Sequence, residues 1–184
     1  MSDRQSARSY PLGATVLPGG VNFSIYSRNA AGVELLLFDG VDDARPARSI
    51  FLDPNSSRVN YYWNLFVPDV PVGQVYGYRV HGPFDPANGI RFDSGKVLLD
   101  PYGRGVAVPA GYSREAACVR GDNAASAMKS VAIDSAAYDW EGDKPVCRRA
   151  SRTIIYEMHV RGFTRHASSG VGEKTRGTFA GLIE

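Results

Sequence analysis

The chain has 184 residues, of which 43% are hydrophobic, and this is enough for one good domain or for one domain and part of another. The formal net charge is +2 and the basic residues are scattered, which argues against a nucleic-acid partner. No apolar run reaches the roughly 18 residues of a membrane span, so no membrane partner is expected. The first ten residues lack the apolar segment of a secretory signal, which predicts a cytoplasmic protein.

The segment from residue 13 to about residue 108 is predicted to form short strands separated by turns. Hydrophobic residues there recur at every second position, which is the pattern of a strand with one buried face. The strands are predicted at residues 21–25, 33–37, 48–52, 63–67 and 76–80. Gly, Pro, Asn and Asp separate them and supply the turn chemistry. This spacing predicts a mainly β fold, an immunoglobulin-like antiparallel β-sandwich, with its domain at residues 1–109.

Residues 110–150 are predicted to be a linker, because small residues dominate and the hydrophobic pattern is weak. We expect one short helix within it. The linker contains both cysteines, Cys118 and Cys147, which lack a CxxC spacing and nearby His partners for zinc. Two free thiols are the simplest interpretation, and a single disulfide is the alternative.

Residues 151–184 show a different pattern. Residues 152–160 predict a strong strand, and a polar, glycine-rich loop follows up to Gly177. Thr178 is a plausible N-cap for a helix that starts there. The order of strand, loop and helix start predicts the opening of a βα unit.

The sandwich region resembles the isoamylase and GlgX types of glycogen debranching enzyme, in glycoside hydrolase family 13 of the α-amylase superfamily. Residues 10–15, with GVNFSIYS at residues 20–27, resemble the start of their carbohydrate-binding-module-48 (CBM48) domain. The most specific match is YGYRVHGPFDP at residues 76–86, continued through residues 89–93 and 96–102. The resemblance implies a parent enzyme of glycogen catabolism, a glycosidase that hydrolyses α-1,6-glucosidic branch linkages.

A further match lies in the last part of the chain, where IYEMHVRGFT at residues 155–164 resembles the first strand of the same enzymes' barrel. The resemblance implies that residues 151–184 are the first βα segment of a truncated (β/α)8 barrel. Retaining glycoside hydrolysis needs two carboxyl groups about 5 Å apart, and in these enzymes they come from later strands of a barrel of about 250 residues. We therefore expect no catalytic residue in this chain, which leaves the remainder of the barrel as a partner.

Exposed aromatic side chains are the expected contacts to an α-glucan such as glycogen or a limit dextrin. The alternation of residues 63–67 predicts that Trp63 faces the core, so the neighbouring Tyr62 is expected on the opposite face of the strand. Phe84 and Phe92 lie in predicted loops. These three, Tyr62, Phe84 and Phe92, are the candidate glucan contacts. Glycogen-binding relatives use a Trp in a loop that corresponds to residues 38–48, and this chain has none there. The chain is thus expected to be a glucan-binding or barrel-docking part of a hydrolase, with a stand-alone glucan-binding module or a non-binding interdomain scaffold as alternatives.

Three polar residues near the end of the predicted barrel strand, Glu157, His159 and Arg161, are predicted to share one face. In a complete barrel they would support the active site from behind its catalytic residues, and the alternative is a hydrogen-bonded structural cluster. No metal site or cofactor is expected. The histidines, His81, His159 and His166, have no zinc spacing between them.

Overall fold

The structure is a computed structural model that describes residues 7–183, and the chain divides into two compact units, Met1–Tyr138 and Asp139–Glu184. The described strands all belong to the first unit, and they are β1 (Gly13–Leu17), β2 (Gly20–Tyr26), β3 (Gly32–Phe38), β4 (Arg48–Leu52), β5 (Arg58–Val59), β6 (Tyr62–Pro68), β7 (Val75–His81), β8 (Phe84–Asp85), β9 (Ile90–Arg91), β10 (Gly105–Ala107) and β11 (Lys129–Val131). The first unit also contains helix α1 (Arg114–Cys118) and a 3₁₀ turn at Pro86–Asn88.

The first unit is an antiparallel β-sandwich, as predicted. Its first sheet has the strand order β1-β2-β6-β5, its second sheet has the order β10-β11-β7-β3-β4, and β8 and β9 form a separate hairpin. The inward side chains of β2, β3, β6 and β7 form one core, which includes Trp63, Tyr76 and Tyr78. Trp63 is fully buried, which confirms the core position that its alternation predicts, and its indole N–H donates to the Ser27 carbonyl at 3.2 Å.

The five strands predicted from period-two alternation are confirmed as β2, β3, β4, β6 and β7. The first strand, β1, lies outside that prediction, and a tight turn joins it to β2 with Leu17 paired to Gly20. Gly19 in this turn has a φ of +80°, which an L side chain rarely adopts. A two-residue turn of this kind is the connection that the twist of neighbouring antiparallel strands favours.

The second sheet is buried on its inner face and on part of its outer face. Its outer face contributes Leu36 and Phe38, which pack against Val97, Ala124 and Ala127 from the segment that follows the β8–β9 hairpin. That segment includes part of the predicted linker, and β11 within it pairs with both β7 and β10. The compact unit that contains the sandwich therefore also includes part of the predicted linker, up to Tyr138, and the domain boundary at residue 109 stays a prediction. The short helix expected in the linker is confirmed as α1.

A buried lysine holds this covering segment in place. Lys129 is fully buried, and its ammonium donates to the carbonyls of Val41 at 2.6 Å and Ala124 at 2.8 Å. The same ammonium lies 4.8 Å from the centroid of the Phe38 ring, a cation–π contact. Burial lowers the pKa of Lys129, and the carboxylate of Asp43 opposes that shift. The loop between β3 and β4 is thereby tied to the segment that covers the second sheet.

The second unit differs from its prediction. No strand is formed at residues 152–160: Arg152 ends a 3₁₀ turn at Ala150–Arg152, and Val160 begins a short helix, α2 (Val160–Phe163). The barrel-strand part of the predicted fold is therefore not confirmed. A strand of a parallel barrel needs a hydrogen-bonded neighbour on each edge, and no strand pairs with this segment in residues 7–183.

The expected helix start at Thr178 also takes another form. The structure has a single 3₁₀ turn at Ala180–Leu182, with Phe179 rather than Thr178 at the cap position. The Thr178 hydroxyl donates instead to the Thr175 carbonyl at 2.7 Å. A further 3₁₀ turn lies at Ala167–Ser169.

Two predictions concern the chain as a whole. Cys118 and Cys147 are free thiols and both are exposed. Within residues 7–183, no helix has the length and apolar character needed to cross a bilayer.

Candidate functional site

The structure places the three predicted glucan contacts at different depths of the surface of the first unit. Tyr62 is the first residue of β6 and is 36% exposed, and Phe84 is the first residue of β8 and is 47% exposed. Phe92 follows β9 and is half-buried, because one side of its ring packs against the sandwich core. Gly82 allows this approach, since a Cβ there would lie 2.6 Å from the Phe92 ring.

Tyr62 belongs to an exposed group of tyrosines, which we call the tyrosine cluster and which consists of Tyr26, Tyr61 and Tyr62. Tyr26 ends β2 and pairs directly with Tyr62 across the antiparallel ladder. The Tyr26 ring centroid lies 5.4 Å from that of Tyr62 and 6.2 Å from that of Tyr61, with interplanar angles of 67° and 73°. Tyr26 and Tyr61 are 41% and 42% exposed. Such edge-to-face contacts hold the rings at fixed angles while leaving area open to solvent.

The tyrosine cluster adjoins a groove at one end of the sandwich. This first groove has a volume of about 560 Å³, within the range of about 300–1,000 Å³ that is typical of small-ligand sites. Tyr26 and Phe92 supply aromatic rings to its lining, and Ser27, Asn29 and Arg91 supply polar groups. Tyr26 is therefore shared between the tyrosine cluster and the first groove.

A second groove, of about 470 Å³, lies next to the first and contains Phe84. The two grooves share Arg91, Asp93, Lys96 and Leu98. The guanidinium of Arg120 lies 4.5 Å from the Phe84 ring centroid, so that one face of this ring is already occupied by a cation–π contact. The structure thus brings Phe84 and Phe92 to neighbouring grooves.

The charged residues shared by the grooves are held by the backbone. One Asp93 oxygen accepts from the Gly95 amide at 2.9 Å, and this hydrogen bond is the main reason why the pKa of Asp93 lies below its ordinary value. The nearby guanidinium of Arg120 and ammonium of Lys96 lower it further. Lys96 donates to the Ala116 carbonyl at 2.6 Å. At neutral pH the site therefore has the ionised Asp93 carboxylate close to the positive charges of Arg120 and Lys96.

Part of each outer face of the sandwich is occupied by the chain itself. On the first sheet, the Asn22 side chain exchanges hydrogen bonds with the Arg8 backbone at 2.8 and 2.9 Å, and the Ser24 hydroxyl donates to the Ser9 carbonyl at 2.8 Å. On the second sheet, the segment anchored by Lys129 covers the outer face. The loop after β3 corresponds to the region where glycogen-binding relatives have a Trp. In this chain the Val41 carbonyl of that loop accepts a hydrogen bond from Lys129. The tyrosine cluster beside the first groove lies instead at one end of the sandwich and is exposed.

The polar residues assigned to a barrel strand have local roles in the second unit. His159 caps α2, and its Nδ1 accepts from the Gly162 amide at 3.0 Å. Glu157 and Arg161 are exposed, and Arg161 lies within α2 rather than on a strand face shared with the other two. The role of these three residues toward a barrel stays a prediction.

The chemistry of the site is that of binding. Aromatic rings with hydroxyl tips, together with amide and hydroxyl side chains, suit a ligand rich in hydroxyl groups. Among the described residues, no group of three or more His, Cys, Asp and Glu side chains is arranged to hold a metal ion. Tyr26 and Tyr61 were missed from the sequence, although Tyr26 alternates outward in the same phase as Asn22 and Ser24.

Comparisons with known proteins agree with this fold. Residues 11–103, just over half of the chain, match the family model of carbohydrate-binding module 48, described as the isoamylase N-terminal domain. The glycogen debranching enzyme of Serratia proteamaculans is 44% identical over 180 residues, which cover 94% of this chain and 26% of that enzyme. Chloroplastic isoamylase 1 of Oryza sativa is 37% identical over 175 residues, which cover 94% of this chain and 21% of that protein.

A solved structure gives the same picture for the fold. Pullulanase from Paenibacillus barengoltzii, in complex with maltohexaose and α-cyclodextrin, superposes with a TM-score of 0.56 at 25% identity, over 96% of this chain and 23% of that one. The chain spans about a quarter of the length of the relatives that it matches. With its two-sheet sandwich and the match over residues 11–103, the chain belongs to the carbohydrate-binding module 48 family.

Proposed function

We propose that this chain is the amino-terminal part of a glycogen debranching enzyme that hydrolyses α-1,6-glucosidic branch linkages, and that this part contributes no catalytic residue. The observation that carries the proposal is the extent of the match. Glycogen debranching enzymes and an isoamylase match 94% or more of the chain, including residues beyond the CBM48 match, while the chain covers about a quarter of their length. A cytoplasmic location, expected from the sequence, is part of this proposal.

Within that parent enzyme, the sandwich serves as a glucan-binding module. Support comes from exposed aromatic side chains beside two grooves whose linings include polar side chains, with Tyr62, Phe84 and Phe92 as the contacts. The Paenibacillus barengoltzii pullulanase, whose fold is similar over nearly the whole chain, binds maltohexaose and α-cyclodextrin. Glycogen or a limit dextrin is the corresponding ligand for this chain.

A second role, docking against the remainder of a catalytic barrel, is favoured by the second unit. Large apolar side chains there are open to solvent: Ile154 is 96% exposed, Ile155 86% and Phe179 76%. Apolar groups exposed together on a folded chain mark an interaction surface, because their burial against a partner is favourable by about 25 cal/mol per Å². Glu157, His159 and Arg161 lie in the same part of the chain and would face the barrel partner.

The glucan-binding role is tested by affinity electrophoresis of the full 184-residue chain in native gels with and without glycogen. We expect glycogen in the gel to retard the chain, and a Phe92→Ala variant to be retarded less. Unchanged mobility of the unmodified chain would overturn the glucan-binding role and leave docking as the function of the sandwich. Dextran at the same concentration is the control for viscosity, because it lacks the α-1,4 chains of glycogen.

The parent activity is tested separately, by sequencing the gene beyond the codon for Glu184. We expect the reading frame to continue into barrel strands that carry paired carboxylates at their carboxyl ends. A stop codon at that point would contradict the proposed parent enzyme. The purified chain incubated with glycogen should release no linear maltooligosaccharides, and release of such products would contradict the absence of catalytic residues.

A further inference from the structure

The position of Tyr26 links two surfaces that the sequence does not connect. Its ring packs edge-to-face on Tyr61 and Tyr62 in the tyrosine cluster, and it also lines the first groove. A ligand that leaves the groove past Tyr26 therefore meets the other two tyrosines. The tyrosine cluster and the first groove form one continuous surface.

The tyrosine cluster has the exposure of a binding surface rather than of a structural element. More than a third of the surface of each of these tyrosines is exposed to solvent. The tyrosines of β7, Tyr76 and Tyr78, are instead fully buried and pack in the core. The guanidinium of Arg28 lies 5.6 Å from the Tyr61 ring centroid and supports that ring from one face. Tyrosine side chains have few rotatable bonds, so holding them against a ligand costs little conformational entropy.

The angles between the rings determine which polymer can stack on them. A flat ribbon such as a β-1,4-glucan presents its sugar faces in nearly parallel planes and requires coplanar aromatic rings. An α-1,4-glucan turns from one residue to the next, and its successive sugar faces are inclined to each other. The Tyr26 ring makes angles of 67° and 73° with its two neighbours, so the three rings do not form the coplanar platform that a flat ribbon requires.

Polar groups for the hydroxyls of such a chain lie beside Tyr26. Ser27 and Asn29 follow it directly in the lining of the first groove, and Arg91 faces them from the hairpin side of the same groove. The charged residues of this lining are Arg91, Asp93 and Lys96, and the Lys96 ammonium already donates a hydrogen bond to the Ala116 carbonyl.

We propose that the tyrosine cluster and the first groove together form one binding site for a linear α-1,4-glucan chain. Tyr61 and Tyr62 stack on sugar rings outside the groove, Tyr26 contacts the chain where it enters, and Ser27 and Asn29 bond its hydroxyls. This inference rests on the glucan-binding role proposed above. It assigns that role to the first groove instead of the second groove at Phe84, because the first groove continues through Tyr26 into the tyrosine cluster.

The test is isothermal titration calorimetry of the full chain with maltoheptaose, and with cellohexaose as the flat-chain control. We expect maltoheptaose to bind and cellohexaose not to bind. Tyr61→Ala and Tyr26→Ala should each weaken maltoheptaose binding about tenfold, the effect expected when an aromatic anchor is removed. Tyr61→Phe keeps the ring and should bind as the unmodified chain does. Tyr112→Ala is the matched control, because Tyr112 is 43% exposed but lies outside the site.

Each other outcome has a defined meaning. If maltoheptaose binds but Tyr26→Ala and Tyr61→Ala leave its affinity unchanged, the inference is overturned while the glucan-binding role stands. Loss of binding in Phe84→Ala alone would move the site to the second groove. If the unmodified chain binds no maltoheptaose and is not retarded by glycogen, the glucan-binding role fails as well. Thermal melts of each variant identify any loss of affinity that comes from unfolding.

Discussion

Tyr76 and Tyr78 lie two residues apart on β7 and are both buried in the sandwich core, but only one of their hydroxyls has a partner. The Tyr76 hydroxyl donates to an Asp100 carboxylate oxygen at 2.8 Å, whereas the Tyr78 hydroxyl is buried without a hydrogen bond. Replacing each tyrosine with phenylalanine removes the same atom from the same strand. The comparison therefore isolates the contribution of one buried hydrogen bond.

The expected magnitudes follow from these contacts. A hydrogen bond to a charged group contributes about 1.5–3 kcal/mol, so Tyr76→Phe should lower the free energy of unfolding by about 2 kcal/mol. Asp100 would then keep the Tyr102 amide, at 2.8 Å, as a donor to its other oxygen. Tyr78→Phe removes a buried hydroxyl that has no bond, and it should raise the free energy of unfolding by up to about 1 kcal/mol.

The assay is urea unfolding followed by circular dichroism at neutral pH. With an m-value of about 2 kcal/mol/M, the midpoint of Tyr76→Phe should fall by about 1 M, while that of Tyr78→Phe should stay or rise. Equal destabilisation by the two substitutions would refute the reasoning, since it would show that hydroxyl packing and not the bond to Asp100 decides stability.

The same pair of variants makes a pH prediction. Burial raises the pKa of Asp100 in the folded state, and the hydrogen bond from Tyr76 opposes this shift. A carboxyl group with a raised folded-state pKa contributes stability that is fully present below the unfolded pKa of about 3.9 and is lost as pH rises through the folded value. Tyr76→Phe raises that pKa further, so its destabilisation should be largest at neutral pH and should shrink toward pH 4.

Three further substitutions test other parts of the fold. Lys129→Ala removes the ammonium that donates to two backbone carbonyls, and urea unfolding should show that the free energy of unfolding falls by about 3 kcal/mol. Lys129→Met keeps the apolar part of the side chain and should restore only the contribution of its packing. Gly77→Ala would place a Cβ 2.9 Å from a Val97 methyl group and should cost about 1–3 kcal/mol in a thermal melt, whereas Gly111→Ala, with 3.9 Å to its nearest neighbour, should be neutral. Asp93 has a lowered folded-state pKa, so its contribution to stability is present above about pH 4 and is lost as the pH falls through the folded value. In urea unfolding, the difference in the free energy of unfolding between the unmodified chain and Asp93→Asn should shrink as the pH is lowered below about 4, and a difference that does not change with pH would contradict this.

The local pattern of the chain predicted the central strands of the sandwich and its core. Alternation at period two marks which side chains of β2, β3, β6 and β7 face inward, because successive residues of a strand point to opposite faces. Trp63 could be placed in the core on this ground alone. The same reasoning placed Tyr62 on the outer face and marked Phe84 and Phe92 as loop residues near the surface.

Contacts between distant residues decided the rest. Tyr26 meets Tyr62 only because β2 and β6 pair in one particular register. The first groove combines Tyr26 with Phe92, a residue far along the chain whose ring packs close to Gly82. The strand β11 has only three residues, and its sequence shows no alternation of apolar and polar residues. Its pairing with β7 therefore cannot be predicted from the local sequence.

Residues 152–160 show the opposite case. Their composition has the strand pattern as clearly as β2 or β7 does, yet they form no strand in the structure. Alternation and β-branched residues indicate only that a segment is able to form a strand. Whether it does depends on a second segment, because the hydrogen bonds of a sheet join two neighbouring strands. The sequence by itself determined which segments could be strands and which faces they would bury. Tertiary structure decided which of them pair with a neighbouring strand, and hence where Tyr26 and Tyr62 came together.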